Sequence, residues 1–248
     1  MARTTFASFD GARLSYRVEG EGRPVVMLHG FLANARFNWI EPGIANAITE
    51  AGFQAIMLDL RGHGRSQASE DPAAYPPDVL ARDGEALRAH LNLQDYDLVG
   101  YSLGARTALR MLVRGARPRR CVLGGMGDSG ILGSAARGAY FADAIENGEA
   151  SQNPQAAKII HDMIKRGNLN PKAMLNVLKA QVHTTQAELQ RVDTPILVVS
   201  GADDNDNGSA EGLATRLRNA RAERVPGNHL SEVQSPELVQ AIVRFLTG

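Results

Sequence analysis

The stretch Gly100-Tyr101-Ser102-Leu103-Gly104 decides the fold, because it fits the G-x-S-x-G pattern of a sharp turn between a strand and a helix. Residues 95–99, just before it, have the length and apolar character of a short buried strand. Residues 105–113, just after it, are good helix formers with apolar side chains at helical spacing. The order of strand, turn and helix therefore predicts that Ser102 stands at the end of a strand.

Both glycines of this turn have a physical reason to be there. A serine held in a sparsely populated backbone conformation leaves no room for a side chain on Gly100 or Gly104. Because a helix begins at the turn, the backbone N–H of Leu103 should point towards the space above Ser102, where it favours a developing negative charge. The pattern indicates a nucleophilic serine, with an idle serine in a glycine turn as the alternative.

Strand-like and helix-like segments alternate along most of the chain. Eight segments have the pattern of strands: 4–9, 13–18, 24–28, 55–58, 97–100, 120–124, 195–200 and 222–225. Asp10-Gly11, between the first two, predicts a hairpin turn. Helical patterns lie between or after them at 39–50, 77–91, 103–113, 209–219 and 236–246. This alternation predicts an α/β fold with a mostly parallel, doubly wound sheet of about eight strands and an antiparallel N-terminal strand pair.

Residues 128–192 interrupt this alternation, because their pattern is helical and offers no strand. Asn153-Pro154 and Asn170-Pro171 are typical of helix starts. Since one crossover rarely needs some sixty residues, we expect an inserted helical lid rather than ordinary crossover helices. The predicted organisation is a core domain of residues 1–127 and 193–248 with a helical cap at 128–192.

A serine nucleophile needs a base to take its proton and an acid to orient that base. His229 follows a short predicted strand, and Asp204 follows the strand at 195–200, so both should lie at the carboxyl edge of the sheet with Ser102. The chain order Ser102, Asp204, His229 is the one expected for such a triad. Asp203 and Asp206 lie in the same loop as Asp204 and are alternatives to it. Asp128, after the preceding predicted strand, is the second candidate for the acid.

Composition narrows the range of partners. Of 248 residues, 27 are Lys or Arg and 27 are Asp or Glu, and a formal net charge of +0 gives no reason to expect a nucleic-acid partner. No apolar run approaches the length of a membrane span and no signal peptide is evident, so we expect a cytoplasmic protein without membrane contact. Residues 151–190 carry five basic side chains against two acidic ones, an excess that could attract carboxylate substrates but is more typical of a solvated face.

Four separated motifs together resemble those of the α/β-hydrolase fold family, and the likeness covers nearly the whole chain. They are Leu28-His29-Gly30-Phe31, the loop 59–66, the turn around Ser102, and the late pair Asp204 and His229. The resemblance implies an oxyanion hole made by the N–H groups of Phe31 and Leu103, with His29 shaping the loop. Ser102 replaces the aspartate nucleophile of epoxide hydrolases and haloalkane dehalogenases, and the HGGG loop of one lipase branch is absent, which favours the compact capped branch.

The sequence thus predicts a serine hydrolase, a carboxylesterase of class EC 3.1.1, that cleaves small-molecule esters of small to medium acyl chains through an acyl-enzyme. It needs no metal and no cofactor, and Phe31 and Tyr101 are candidates for the substrate pocket. A lactonase, a perhydrolase or cofactor-free peroxidase, and a carbon–carbon bond hydrolase are alternatives with the same triad. The alternative outside enzymes is a ligand-binding receptor on the same fold.

Overall fold

One mixed sheet forms the centre of the computed structural model, which describes residues 3–248, apart from the side chains of Arg3 and Ser134. Its strands are β1 (Arg3–Ala7), β2 (Arg13–Glu19), β3 (Arg23–Leu28), β4 (Phe53–Asp59), β5 (Asp97–Tyr101), β6 (Cys121–Gly124), β7 (Ile196–Gly201) and β8 (Ala220–Val225). They lie in the order β1-β2-β4-β3-β5-β6-β7-β8. Strand β2 runs antiparallel to β1 and β4, and the other neighbours are parallel. The predicted fold class is confirmed.

Helices cover both faces of the sheet. They are α1 (Ile44–Glu50), α2 (Val79–His90), α3 (Leu103–Val113), α4 (Asp128–Leu132), α5 (Ser134–Asn147), α6 (Pro154–Gly167), α7 (Pro171–Lys179), α8 (Gln186–Leu189), α9 (Ala210–Ala214) and α10 (Pro236–Thr247). Alternate residues of β3 serve different faces: Val25 and Met27 pack with α1 and α10, whereas Val26 and Leu28 pack with α2 and α3. Burial on both faces explains why the central strands are continuous apolar runs. No helix within residues 3–248 combines the length and the apolar character needed to cross a membrane.

Five helices, α4 to α8, occupy the connection between β6 and β7. The side chains of Asn153 and Asn170 accept hydrogen bonds from backbone N–H groups of α6 and α7, and a proline stands at the first position of each helix. These two predicted helix starts are confirmed. The buried apolar cluster on this side of the sheet continues without a break into α6 and α7, so the helical segment packs on the sheet through shared core.

Two predicted helices differ from the structure. The segment 39–50 is a π-helical turn (Arg36–Ile40) followed by α1, because Gly43 adopts a positive φ of 81° between the two pieces. The helix expected at 209–219 ends at Ala214, since the chain must turn to enter β8, which begins at Ala220. Both errors concern loop geometry and leave the sheet order unchanged.

Candidate active site

The turn at Ser102 is built by backbone sterics. Strand β5 ends at Tyr101 and helix α3 begins at Leu103, so Ser102 is the only residue between them. Its φ of 52° and ψ of −112° lie in a region that residues other than glycine rarely adopt. A Cβ on Gly104 would collide with the carbonyl oxygen of Leu28, and one on Gly100 would collide with that of Gly104. Glycine is therefore required at both positions, which is how the sequence specifies a strained serine.

Three sequence-predicted side chains meet at this turn. The Ser102 Oγ lies 3.0 Å from His229 Nε2, and His229 Nδ1 lies 2.9 Å from Asp204 Oδ2. Ser102, Asp204 and His229 follow strands β5, β7 and β8, so all three stand at the carboxyl edge of the sheet. This is the arrangement in which a histidine can take the proton of a hydroxyl while a carboxylate holds the other ring nitrogen.

The environment of Asp204 keeps its carboxylate ionised. Burial by itself would raise the pKa of Asp204, but hydrogen bonds from His229 and from the Asp206 N–H, at 2.9 Å, outweigh burial and hold this pKa below its usual value. The rival acid Asp128 is bound elsewhere: its carboxylate accepts hydrogen bonds from the N–H groups of Ser129 and Ser209. The structure thus brings Asp204, and not Asp128, to His229.

The family resemblance assigns two N–H groups to an oxyanion hole, that of Phe31 in the loop after β3 and that of Leu103 at the start of α3. His29 Nε2 accepts a hydrogen bond from the Leu60 N–H at 2.9 Å, and the Gly30 N–H donates to Asn38 Oδ1 at 2.8 Å. Within residues 3–248, the N–H groups of Phe31 and Leu103 have no protein acceptor. Free N–H groups beside a nucleophile are what an oxyanion needs.

Two buried histidines fix this loop as neutral side chains. His63 Nε2 lies 3.4 Å from the Leu32 nitrogen, and the His29 and His63 rings contact edge to face. Burial lowers the pKa of His29 to about 4 and that of His63 to about 3, so both are uncharged near neutral pH. Their role is to hold the loop next to Ser102.

A buried glutamate that the sequence analysis did not single out lies behind His229. The Tyr101 hydroxyl lies 2.6 Å from the His229 carbonyl oxygen and 2.8 Å from Glu232 Oε1, while Glu232 Oε2 accepts a hydrogen bond from the Gly201 N–H. A phenol carries one hydrogen, so it satisfies both contacts only if the Glu232 carboxyl is itself protonated and donates. Burial, together with the nearby charge of Asp204, raises the pKa of Glu232 to about 7, in agreement with this proton count.

No local pattern marks Glu232, because its burial arises from packing of the loop after β8 against β5 and β7. Tyr101, predicted as a pocket residue, lines the larger cavity described below, but its hydroxyl is directed to the His229 loop. Asn207, also missed, donates to the Gly125 carbonyl at 3.0 Å and lies 3.3 Å from His229 Nδ1. These residues support the histidine from behind.

Two cavities meet at Ser102, and Phe31 lines both. The larger, which we name the apolar chamber, has a volume of about 930 Å³, and its walls include Tyr140, Phe141, Ile159, Ile160, Met163 and Val233. The smaller, which we name the cationic chamber, has a volume of about 350 Å³, and its walls include Leu103, Arg106, Arg137, Phe141, Leu178 and Lys179. The site therefore offers two compartments of different chemistry that both reach Ser102.

A metal ion is not needed to satisfy the polar groups of this site. Asp204, His229 and Glu232 each offer a ligand atom within 4.8 Å of the others. Those atoms are already hydrogen-bonded: His229 Nδ1 to Asp204, and the Glu232 oxygens to Tyr101 and Gly201. The cluster is explained as a hydrogen-bonded network.

Known proteins resemble this chain in sequence and in structure. The family model described as alpha/beta hydrolase fold matches residues 23–122. The non-heme chloroperoxidase CPO-A1 of Kitasatospora aureofaciens is 29% identical over 229 residues, which is 79% of each chain. An esterase from Rhodococcus sp. ECU1013 superposes with a TM-score of 0.77 at 23% identity, covering 100% of this chain and 99% of the esterase. The enol-lactonase from Burkholderia xenovorans LB400 gives a TM-score of 0.77 at 23% identity, covering 99% and 100%.

These likenesses agree with the observed architecture. The family match spans β3 to β6, the part that contains Ser102 and the loop after β3. The structural likenesses extend over the helices between β6 and β7 as well, since they cover nearly all of the chain. The sheet order, the turn at Ser102 and these matches together show that the chain has the α/β-hydrolase fold.

Proposed function

We propose that this protein is a carboxylesterase that works through an acyl-enzyme on Ser102, with His229 as general base and acid and Asp204 as its orienting carboxylate. The observation that carries the proposal is the continuous chain of contacts from Ser102 Oγ to His229 at 3.0 Å and from His229 to Asp204 at 2.9 Å. A serine hydroxyl is a weak nucleophile near pH 7, and this arrangement removes its proton during attack.

The first half of the reaction forms the acyl-enzyme. His229 Nε2 takes the Ser102 proton as Oγ attacks the ester carbonyl carbon, and the N–H groups of Phe31 and Leu103 bind the resulting oxyanion. The tetrahedral intermediate then breaks the carbon–oxygen bond to the alcohol, which leaves with the proton from His229. In the second half, a water molecule gives its proton to His229, attacks the acyl carbon and releases the acid while Ser102 recovers its proton.

The apolar chamber sets the expected substrate size. Its volume of about 930 Å³ and its aliphatic and aromatic walls suit an ester with a small to medium hydrocarbon group. An esterase from Rhodococcus shares this fold.

A second candidate function follows from the chloroperoxidase that is 29% identical to this chain. The candidate reaction is perhydrolysis, in which hydrogen peroxide replaces water as the attacking molecule, so that the acyl-enzyme on Ser102 yields a peracid and free serine. The steps before attack are the same, and therefore both functions require the same triad.

The test is turnover of p-nitrophenyl esters of graded acyl length by the wild type, by Ser102→Ala and by Ser129→Ala. Ser129 is an exposed serine of the apolar chamber, so its replacement is a matched control for loss of a hydroxyl. We expect turnover that falls about a thousandfold or more in Ser102→Ala and stays near wild type in Ser129→Ala. Wild-type turnover by Ser102→Ala, or none by the folded wild type, would refute the proposal. Formation of a peracid when hydrogen peroxide is added distinguishes perhydrolysis, the second candidate, from ester hydrolysis.

A further inference from the structure

Arg106 is a half-buried cation without a counter-charge beside the nucleophile. It lies one helical turn after Ser102 on α3, where its N–H donates to the Ser102 carbonyl at 3.1 Å, and its side chain lines the cationic chamber together with Ser102. Among the hydrogen bonds and ion pairs of residues 3–248, the Arg106 guanidinium takes part in none. A guanidinium carries five N–H donors, so this side chain enters the chamber with its donors unused.

Two other arginines with little solvent exposure, Arg61 and Arg110, are paired with carboxylates of the chain. Arg61, whose side chain is 2% exposed, binds Asp10 at 2.6 Å and Asp83 at 2.7 Å. Arg110, 12% exposed, binds Asp78 at 2.7 Å and Glu188 at 3.2 Å. Because a sheltered charge is costly unless it is paired, the contrast indicates that the partner of Arg106 is supplied from outside the chain.

The other residues that line the cationic chamber favour a ligand with a single negative charge. None of the described residues that line it is Asp or Glu. Arg137 also lines it but is paired with Asp206 at 3.2 Å, and Lys179 is exposed at its rim. Burial and the charge of Arg137 lower the pKa of Arg106 to about 10, so Arg106 stays a cation near neutral pH. Among the described lining residues, Arg106 is the cation that is both sheltered and unpaired, and one such charge matches a singly charged group better than a doubly charged phosphate.

We propose that the cationic chamber binds a carboxylate of the substrate through Arg106, so that the ester cleaved at Ser102 carries a free acid group. The inference rests on the proposed esterase function. A guanidinium fork fits a carboxylate with two parallel hydrogen bonds, which fixes orientation as well as charge. The ester carbonyl then lies at Ser102, the carboxylate in the cationic chamber and the uncharged part of the substrate in the apolar chamber.

The first experiment compares kcat/KM for matched charged and neutral esters. One pair carries the charge on the acyl group, p-nitrophenyl hydrogen glutarate against p-nitrophenyl pentanoate, and a second carries it on the leaving group, 4-acetoxybenzoate against phenyl acetate. We expect wild type to prefer the charged member of one pair by about tenfold to a hundredfold, the range of a charged hydrogen bond. Arg106→Met should abolish the preference, and Arg106→Lys should restore part of it. Arg166→Met, an exposed cation on α6, should leave it unchanged.

A second readout does not depend on turnover. Glutarate binding is measured by calorimetry on Ser102→Ala protein with and without Arg106→Met, and thermal unfolding verifies that each variant is folded. Loss of binding with Arg106→Met supports the inference, and equal binding overturns it. If the ester preference is the same with and without Arg106 while Ser102→Ala abolishes turnover, the inference fails and the proposed function stands. If the wild type cleaves no ester, the proposed function fails, and the glutarate measurement still decides whether Arg106 binds an anion.

Discussion

The site has two walls, and they are built by different physical means. The strand-end wall consists of the loops after β3, β5, β7 and β8, which hold Phe31, Ser102, Asp204 and His229. The helical wall comes from α5, α6 and α7 and contributes side chains such as Phe141, Met163 and Lys179. Backbone contacts fix the first wall: a forced φ at Ser102, glycines without room for a Cβ, and hydrogen bonds to loop N–H groups. Only the identity of packed side chains shapes the second.

This difference separates chemistry from selectivity. A change in the strand-end wall removes groups that act on every ester, so it should lower the turnover of all substrates by a similar factor. A change in the helical wall alters only the space around one part of the substrate, so it should change the ranking of substrates. Substitutions in each wall can therefore break or sharpen the comparison.

The largest effect is expected for Asp204→Asn. An amide in place of the carboxylate holds His229 in the wrong tautomer, and in comparable triads such a change costs about 10⁴ in turnover. We expect kcat for acetate, butyrate and octanoate esters to fall by a similar factor. Asp128→Asn is the matched control, since its hydrogen bonds go to the backbone of Ser129 and Ser209. A greater loss of turnover in Asp128→Asn than in Asp204→Asn would show that Asp128, and not Asp204, is the acid of the triad.

A smaller and selective effect is expected for Met163→Trp in the helical wall. Met163 is half-buried and lines the apolar chamber, so a larger side chain there takes space from long acyl groups. We expect kcat/KM for p-nitrophenyl octanoate to fall about tenfold, with that for the acetate nearly unchanged, in the range that pocket contacts give. Met163→Ala should move the optimum to longer chains. An equal loss on every ester would mean that this helix supports the chemistry, and the distinction between the walls would fail.

The comparison also explains what the sequence could and could not reveal. The turn at Ser102, the alternation of strands and helices, and the Asn-Pro helix starts are local patterns, each with a steric or hydrogen-bonding cause within a few residues. The unpaired state of Arg106 is not local, because it depends on which carboxylates the folded chain leaves out of the cationic chamber. Residues 151–190 have an excess of basic side chains, yet the half-buried cation beside the nucleophile, Arg106, is on α3.

Glu232→Gln tests the part of the strand-end wall that the sequence analysis missed. The folded-state pKa of Glu232, about 7, lies above its ordinary value of 4.5, so the folded protein keeps a proton that the unfolded chain loses between those values. The contribution to stability is therefore complete below pH 4.5 and is lost as the pH rises to about 7, by up to about 3 kcal/mol. Glutamine keeps a donor for Tyr101 and an acceptor for the Gly201 N–H at every pH.

We measure the free energy of unfolding by urea titration at pH 5, 6, 7 and 8. We expect the value for Glu232→Gln minus the value for the wild type to increase as the pH rises. Turnover should differ only a few-fold, and mainly above pH 7, where an ionised Glu232 competes with the His229 carbonyl for the single Tyr101 hydrogen. Tyr101→Phe is the control, because it removes the hydroxyl that couples Glu232 to the His229 loop and should cancel the difference in turnover. A stability difference that does not change with pH would mean that Glu232 is ionised throughout, and the second contact of the Tyr101 hydroxyl would then lack a hydrogen.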